Sequence, residues 1–114
     1  MQNKRKHKRF PLHNYLKVSE TDSQKHLGYM IDVSEDGFKL LSEDHISKGS
    51  ELICSLHLPE VLNDRRAISF KARTCWSGKD VNPDYYASGF HINEIDPDGD
   101  TVISLIIHKY GHKA

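Results

Sequence analysis

The sequence predicts an all-β protein, namely a six-stranded antiparallel β-barrel with a C-terminal α-helix and a flexible basic N-terminal arm. Three observations favour this class. About six segments alternate apolar and polar residues with the period of two that a half-buried strand requires. Segments rich in Gly, Pro, Asp and Ser separate them and predict turns. With 114 residues, the chain is long enough for one domain with its own core, so residues 1–114 are taken as a single domain.

Each predicted strand rests on its own residue pattern. A short apolar segment, "HNYLKVSE", comes first. "HLGYMIDVS" and "FKLLSE" flank the break "EDG", and residues 26–43 are therefore expected to form a hairpin. "ELICSLHL" alternates again and is followed by the connection "PEVLNDRR", which begins with Pro59. "AISFKARTCW" and "YYASGFHINEI" are the last two strands, with "SGKDVNPD" as the loop between them.

Alternation also predicts which strand residues face the core. On "AISFKARTCW", Trp76 has the same parity as Ile68 and Phe70, which favours packing in the core. On the first strand of the hairpin, the predicted inner residues are Leu27, Tyr29, Ile31 and Val33.

The last predicted element is a helix over residues 97–110. "TVISLIIHKY" has apolar residues at helical spacing, and Asp100 or Thr101 is placed to cap its start. The expected organisation is then an arm over residues 1–12, a barrel over 13–96 and this helix.

Charge is unevenly distributed although the chain is neutral overall. Residues 1–17 hold six of the 16 basic side chains and none of the 16 acidic ones, which leaves a mildly acidic body with a basic arm. Such an arm usually serves an anionic partner, whether nucleic acid, phosphate or membrane surface. No apolar run approaches the roughly 18 residues of a membrane span, and no secretory signal is evident, so a cytoplasmic protein is expected. Cys54 and Cys75 are expected to be small buried thiols rather than a disulfide.

Two short motifs carry candidate binding chemistry. "RKHKR" places Arg5 and Arg9 four residues apart, and a guanidinium can grip a phosphate with two hydrogen bonds and also stack on a base. "DVSEDG" places Asp32 and Ser34 on one strand face, followed by Gly37, where a tight turn can use a positive φ. Taken singly, the first motif is equally a solvated tail, and the second a polar strand face that ends in a turn.

No catalytic or metal-binding pattern accompanies these motifs. The sequence has no phosphate-binding P-loop, no nucleophile elbow and no cysteine pair at metal-ligand spacing. The acidic residues fall mainly in turns, so no general acid/base pair is evident. Neither an enzyme nor a metal or cofactor is expected.

The two motifs together resemble the PilZ domain family. R-x-x-x-R near the N-terminus and D-x-S-x-x-G 22 residues later stand in the family's order, and "TCW", "SGFHI" and a closing helix are similar too. The resemblance covers nearly the whole chain and implies a stand-alone barrel that binds cyclic di-GMP. It implies that Arg5 and Arg9 contact phosphates and guanine faces, that Asp32 and Ser34 hydrogen-bond a guanine edge, and that Gly37 leaves room for close approach.

The resemblance also implies further contacts and a role. Lys4 and Lys8 add attraction for the anionic ligand, and in some members an aromatic residue at the position of Trp76 contacts a base. The implied role is a non-enzymatic effector that orders its arm, alters contacts with an unidentified protein partner, and acts in motility, biofilm or exopolysaccharide control as a monomer or ligand-dependent dimer. The alternatives are a small nucleic-acid-binding barrel that uses the basic arm, and a PilZ-like interaction domain without ligand.

Overall fold

The architecture of residues 8–112 is described by a computed structural model. Within this range, six strands precede one helix in chain order. The elements are β1 (Phe10–Glu20), β2 (His26–Val33), β3 (Gly37–Ser42), β4 (Glu51–Leu62), β5 (Arg65–Lys79), β6 (Tyr86–Ile95) and α1 (Gly99–Tyr110).

The six strands form a closed barrel in the order β1-β2-β3-β6-β5-β4, with every neighbouring pair antiparallel. Closure is made by β1 and β4, where Val18, Ser19 and Glu20 pair with Leu56, Ser55 and Cys54. The predicted six-stranded antiparallel barrel with a C-terminal helix is confirmed, whereas most of the predicted flexible arm lies outside residues 8–112. A closed barrel has no free sheet edge that could pair with a strand of another chain.

Two strands extend further than the sequence pattern indicates. β1 begins at Phe10, inside the range assigned to the arm, because Phe10 pairs with Val33 of β2. β4 continues past Pro59 to Leu62 and turns at Asn63 and Asp64, both of which have positive φ. Pro59 is tolerated because the β4–β5 ladder is irregular between His57 and Leu62.

A register shift on β2 reverses the predicted inner face of its first half. Met30 is fully buried, whereas Tyr29 is 38% exposed, which is the opposite of the prediction. The β2–β3 pairing passes from Met30 to Asp32 through one extra residue, so side chains before and after this bulge have opposite parity. Val33 lies inside as predicted.

The two cysteines have different environments. Cys54 is buried in the core, and burial together with the nearby charge of Glu20 raises the pKa of its thiol to about 12. Cys75 is exposed, so the expectation that both are buried is wrong for this residue. It lies at a second register shift, between Thr74 and Trp76 of β5.

Helix α1 shares the barrel's hydrophobic core. It begins at Gly99, and its N-cap is Asp98 rather than the predicted Asp100 or Thr101; Asp98 makes no capping hydrogen bond with its side chain. The residues that α1 buries in the core are Val102, Ile103, Ile106 and Tyr110. No helix within residues 8–112 has the length and apolar character needed to cross a bilayer.

A charged network fixes the start of α1 against the β4–β5 turn. Arg65 forms ion pairs with Asp98 and, at 2.5 Å, with Asp96. Asp96 also accepts a hydrogen bond of 2.8 Å from the backbone amide of Ser69. Burial works against the charged form of Asp96, but the hydrogen bonds from Ser69 and Arg65 outweigh it and lower the pKa of this carboxyl.

We expect Asp96→Asn to destabilise the protein by about 1 kcal/mol at neutral pH, a modest value because the network is partly exposed. The folded pKa lies below the usual 3.8. The charged Asp96 therefore stabilises the fold above about pH 4 and loses this effect as the pH falls through the folded pKa. Denaturant titrations at pH 7 and at pH 2–3 measure the free energy of unfolding. The difference in this free energy between parent and variant should be smaller in acid. Asp22→Asn, at an exposed turn residue, is the control, and an equal gap at both pH values would contradict the linkage.

Candidate ligand-binding site

The end of the arm meets the barrel where β1 joins β2. Pro11 pairs with Asp32, and this register brings the preceding Arg9 to the same carboxylate. The Arg9 Nη1 atom lies 3.5 Å from Asp32 Oδ1, and the two side chains are 23% and 20% exposed. At this distance the hydrogen bond is long and weak, so both groups retain capacity for a ligand.

The turn after β2 is built by the other motif residues. Ser34 is buried, and its hydroxyl donates to Asp36 Oδ1 at 2.9 Å and lies 3.3 Å from the carbonyl oxygen of Gly37. The Ser34 amide donates to the same carbonyl at 2.8 Å, and the carbonyl of Asp36 accepts from Ile92 on β6. The structure therefore uses Ser34 to shape this turn, whereas the neighbouring Asp32 faces Arg9.

Gly37 allows two strands to pack closely, and it does not supply the positive φ that the turn was predicted to use. Its φ is not positive, so the turn does not depend on a left-handed glycine. A Cβ atom at this position would lie 2.5 Å from the carbonyl oxygen of Phe90. Glycine therefore allows β3 to start in close contact with β6. This contact fixes the turn that follows Asp32 in the chain.

A row of outward residues extends from Asp32 across the barrel surface. In the strand register, Asp32 of β2 is opposite Lys39 of β3, which is opposite Gly89 of β6, which is opposite Trp76 of β5. Three strand spacings make this row roughly 14 Å long. Sequence analysis did not place Lys39 and Gly89 beside Asp32, because their neighbours are set by cross-strand pairing and not by any local motif.

Trp76 lies outside the core, so the parity prediction for this residue is wrong. The bulge between Thr74 and Trp76 breaks the alternation that keeps Ile68 and Phe70 inside, and the indole is 42% exposed. The indole lies across Gly89, and the Nζ atom of Lys39 is 5.9 Å from its ring centroid. An exposed indole on a polar face can stack on a planar base.

The remaining predicted contacts fall at the edge of this site or beyond it. The Nζ atom of Lys8 lies 5.6 Å from the ring centroid of Phe10, next to Arg9 in sequence. Lys4 and Arg5 lie outside residues 8–112, the part of the chain that the structure describes. The same part contains no group of three or more His, Cys, Asp or Glu side chains that could hold a metal ion.

The fold and this row of side chains define a small β-barrel domain whose outer face carries the Arg9–Asp32 ion pair, a lysine and an exposed indole. The sequence matches the PilZ domain family over residues 3–108, so this chain belongs to that family. No curated protein matches the sequence.

Solved structures that share this fold include the following three. The inhibitor of motility MotI/DgrA of Bacillus subtilis has a TM-score of 0.73 and 18% identity, over 95% of this chain and 51% of that one. The PilZ domain of YcgR from Escherichia coli, solved with c-di-GMP, has a TM-score of 0.70 and 13% identity, over 93% of this chain and 91% of that one. The MrkH–c-di-GMP complex of K. pneumonia has a TM-score of 0.73 and 17% identity, over 95% of this chain and 52% of that one. The chain thus spans about half the length of MotI/DgrA and MrkH.

Proposed function

We propose that this protein binds cyclic di-GMP and acts as a non-enzymatic effector. The observation that carries the proposal is the position of Arg9 against Asp32, which joins the two family motifs in one site on the barrel surface. Similar domains of YcgR and MrkH have been solved with c-di-GMP, and this supports the same ligand here.

Each side chain of the site has a role that its chemistry allows. Arg9, together with Arg5 of the arm, pairs with phosphate oxygens and stacks on guanine, since a guanidinium can do both. Asp32 accepts hydrogen bonds from the N–H groups of a guanine edge. Ser34 and Gly37 hold the turn that presents Asp32, and Trp76 offers an indole face to a base. Lys4 and Lys8 contribute long-range attraction for the dianionic ligand.

The contacts of β1 support a route for relaying the signal. The carbonyl of Pro11 accepts a hydrogen bond of 2.6 Å from the amide of His112, and Leu12 forms a bridge with Gly111. The rings of His13 and His112 lie 5.0 Å apart, edge to face. The residues that follow Arg9 are therefore bonded both to β2 and to the segment after α1. A ligand that fixes the arm on the barrel would also alter the surface at the end of α1, where a protein partner could respond.

In cellular terms, the proposal is a cytoplasmic effector in motility, biofilm or exopolysaccharide control, working through a separate protein partner as a monomer or a ligand-dependent dimer. MotI/DgrA of Bacillus subtilis is an inhibitor of motility, which is in keeping with such a role.

Calorimetric titration with cyclic di-GMP, GMP and single-stranded DNA at two salt concentrations tests the function. We expect saturable binding of cyclic di-GMP at a defined stoichiometry, and at least about tenfold weaker binding of GMP, because GMP cannot reach both halves of the site. DNA binding with a steep salt dependence and no binding of the cyclic dinucleotide would instead support a nucleic-acid-binding barrel. No binding of any of the three would support an interaction domain without ligand.

A further inference from the structure

Lys39 has no ion-pair partner among residues 8–112, although it stands in the middle of the candidate site. It is directly opposite Asp32 in the β2–β3 register, but that carboxylate is engaged by Arg9. The Lys39 ammonium turns the other way and lies 5.9 Å from the ring centroid of Trp76. Within the described residues, Lys39 is therefore a cation of the site that forms no ion pair with a carboxylate, in contrast to Arg9.

The contact between Lys39 and the indole is weak enough to be exchanged for a ligand. A cation–π contact at an exposed site is weak. A hydrogen bond between a charged donor and a charged acceptor is typically stronger. A phosphate oxygen within reach would therefore draw the ammonium from the ring, and a lysine stem is flexible enough to follow.

Gly89 determines where the indole lies. A Cβ atom at this position would be 2.0 Å from Trp76 Nε1 and 2.4 Å from Cε2, well inside any allowed contact. Any side chain at position 89 would displace the indole from its position over Gly89. The absence of a side chain here is therefore a condition for the observed arrangement of Trp76 and Lys39.

We propose that Lys39 and Gly89 belong to the ligand site, with Gly89 seating the Trp76 indole against the barrel and Lys39 supplying a further cation that meets a ligand phosphate beside the stacked base. This inference rests on the proposed binding of cyclic di-GMP. It adds a binding residue and a positioning residue on β3 and β6, outside both sequence motifs.

The Lys39 contact is tested by calorimetry on Lys39→Gln, with Lys71→Gln as the matched control. Lys71 is also an outward lysine, but it pairs with Glu94 at 3.6 Å and lies five residues before Trp76 on β5, roughly 16 Å along the strand. We expect Lys39→Gln to weaken cyclic di-GMP binding about tenfold and to make the affinity less sensitive to salt, with little change in the control.

The outcomes separate this inference from the proposed function. If the parent binds and both variants bind like it, the Lys39 contact is wrong while the function stands. If both variants weaken binding equally, Lys39 acts only through net charge, and the contact is again wrong. A parent that fails to bind overturns the function and the Lys39 contact together.

The seat on Gly89 is tested without ligand by fluorescence, because Trp76 is the only tryptophan of the chain. We expect Gly89→Ala to red-shift the indole emission and to increase its quenching by acrylamide. Gly78→Ala is the control, since a Cβ atom there meets nothing within 4 Å. Unchanged emission in a folded Gly89→Ala variant, judged by circular dichroism, overturns the seat.

A further measurement covers the case in which Gly89→Ala does not fold. In the parent, saturating cyclic di-GMP is expected to protect Trp76 from acrylamide, because the base and the phosphate lie beside the indole. Quenching that stays the same at saturation overturns the assignment of Lys39 and Gly89 to the ligand site, whatever happens to the variant.

Discussion

Replacing Arg9 with lysine is expected to weaken cyclic di-GMP binding at least about tenfold, although the charge is kept. The Arg9 Nη1 atom lies 3.5 Å from Asp32, so a small part of the guanidinium is engaged and the rest can meet the ligand. Lysine cannot form the paired hydrogen bonds of a guanidinium, nor present a planar face to guanine. Loss of one charge-assisted hydrogen bond corresponds to about 1.5–3 kcal/mol, which is tenfold or more in affinity.

Calorimetry on Arg9→Lys and Lys17→Gln separates the geometry of the guanidinium from simple charge. Lys17 is an exposed basic residue of β1, and its replacement removes a positive charge while leaving Arg9 intact. If the guanidinium matters, Arg9→Lys is the weaker binder. If Lys17→Gln binds more weakly than Arg9→Lys, attraction by net charge is the main effect and the proposed role of Arg9 is wrong.

The largest effect on stability is expected at Phe38, with Phe38→Ala lowering the free energy of unfolding by about 3–5 kcal/mol. Phe38 is fully buried, and its ring stacks on Phe90 at a centroid distance of 4.9 Å. It also meets Phe70 edge to face at 5.3 Å. Removing the ring leaves a cavity between β3, β5 and β6 that surrounding side chains cannot fill without leaving their own contacts.

Denaturant unfolding of Phe38→Ala, with Tyr15→Ala as the control, measures this effect. Tyr15 is 57% exposed on β1, so its truncation should cost less than about 1 kcal/mol. Phe38 directly follows Gly37 and lies beneath the candidate site. The variant is therefore also expected to bind ligand more weakly at denaturant concentrations near its unfolding midpoint. A loss below about 1 kcal/mol for Phe38→Ala would mean that the three phenylalanine rings do not form the packed centre of this core.

The fold could be predicted from the sequence because strand alternation and turn residues are local signals. Where the structure differs, one-residue irregularities are the usual cause. The bulge after Met30 exchanges the faces of β2, and the bulge before Trp76 moves the indole from the predicted core to the surface. A bulge leaves no clear mark in a single sequence, and every side chain beyond it changes face.

The candidate site could be predicted from the sequence only in part. Arg9 and Asp32 are joined by motif spacing and by the register of β1 on β2, and sequence analysis brought them together. Lys39 and Gly89 enter the row through pairing across β2, β3 and β6, which depends on the closed barrel as a whole. Ser34 was expected to face a ligand, but its hydroxyl is used inside the turn, because a buried polar group needs a partner in the free protein.

A heteronuclear NMR titration with cyclic di-GMP tests the central claim most directly, because it reports binding and its location together. The claim predicts saturable shifts at Arg9, at residues 32–39, at Gly89 and at the Trp76 indole N–H. Smaller ligand-induced changes in chemical shift should also occur at residues 111–112, which are bonded to the start of β1. No shifts at saturating ligand, or shifts confined to surfaces away from this row, would contradict the proposed site.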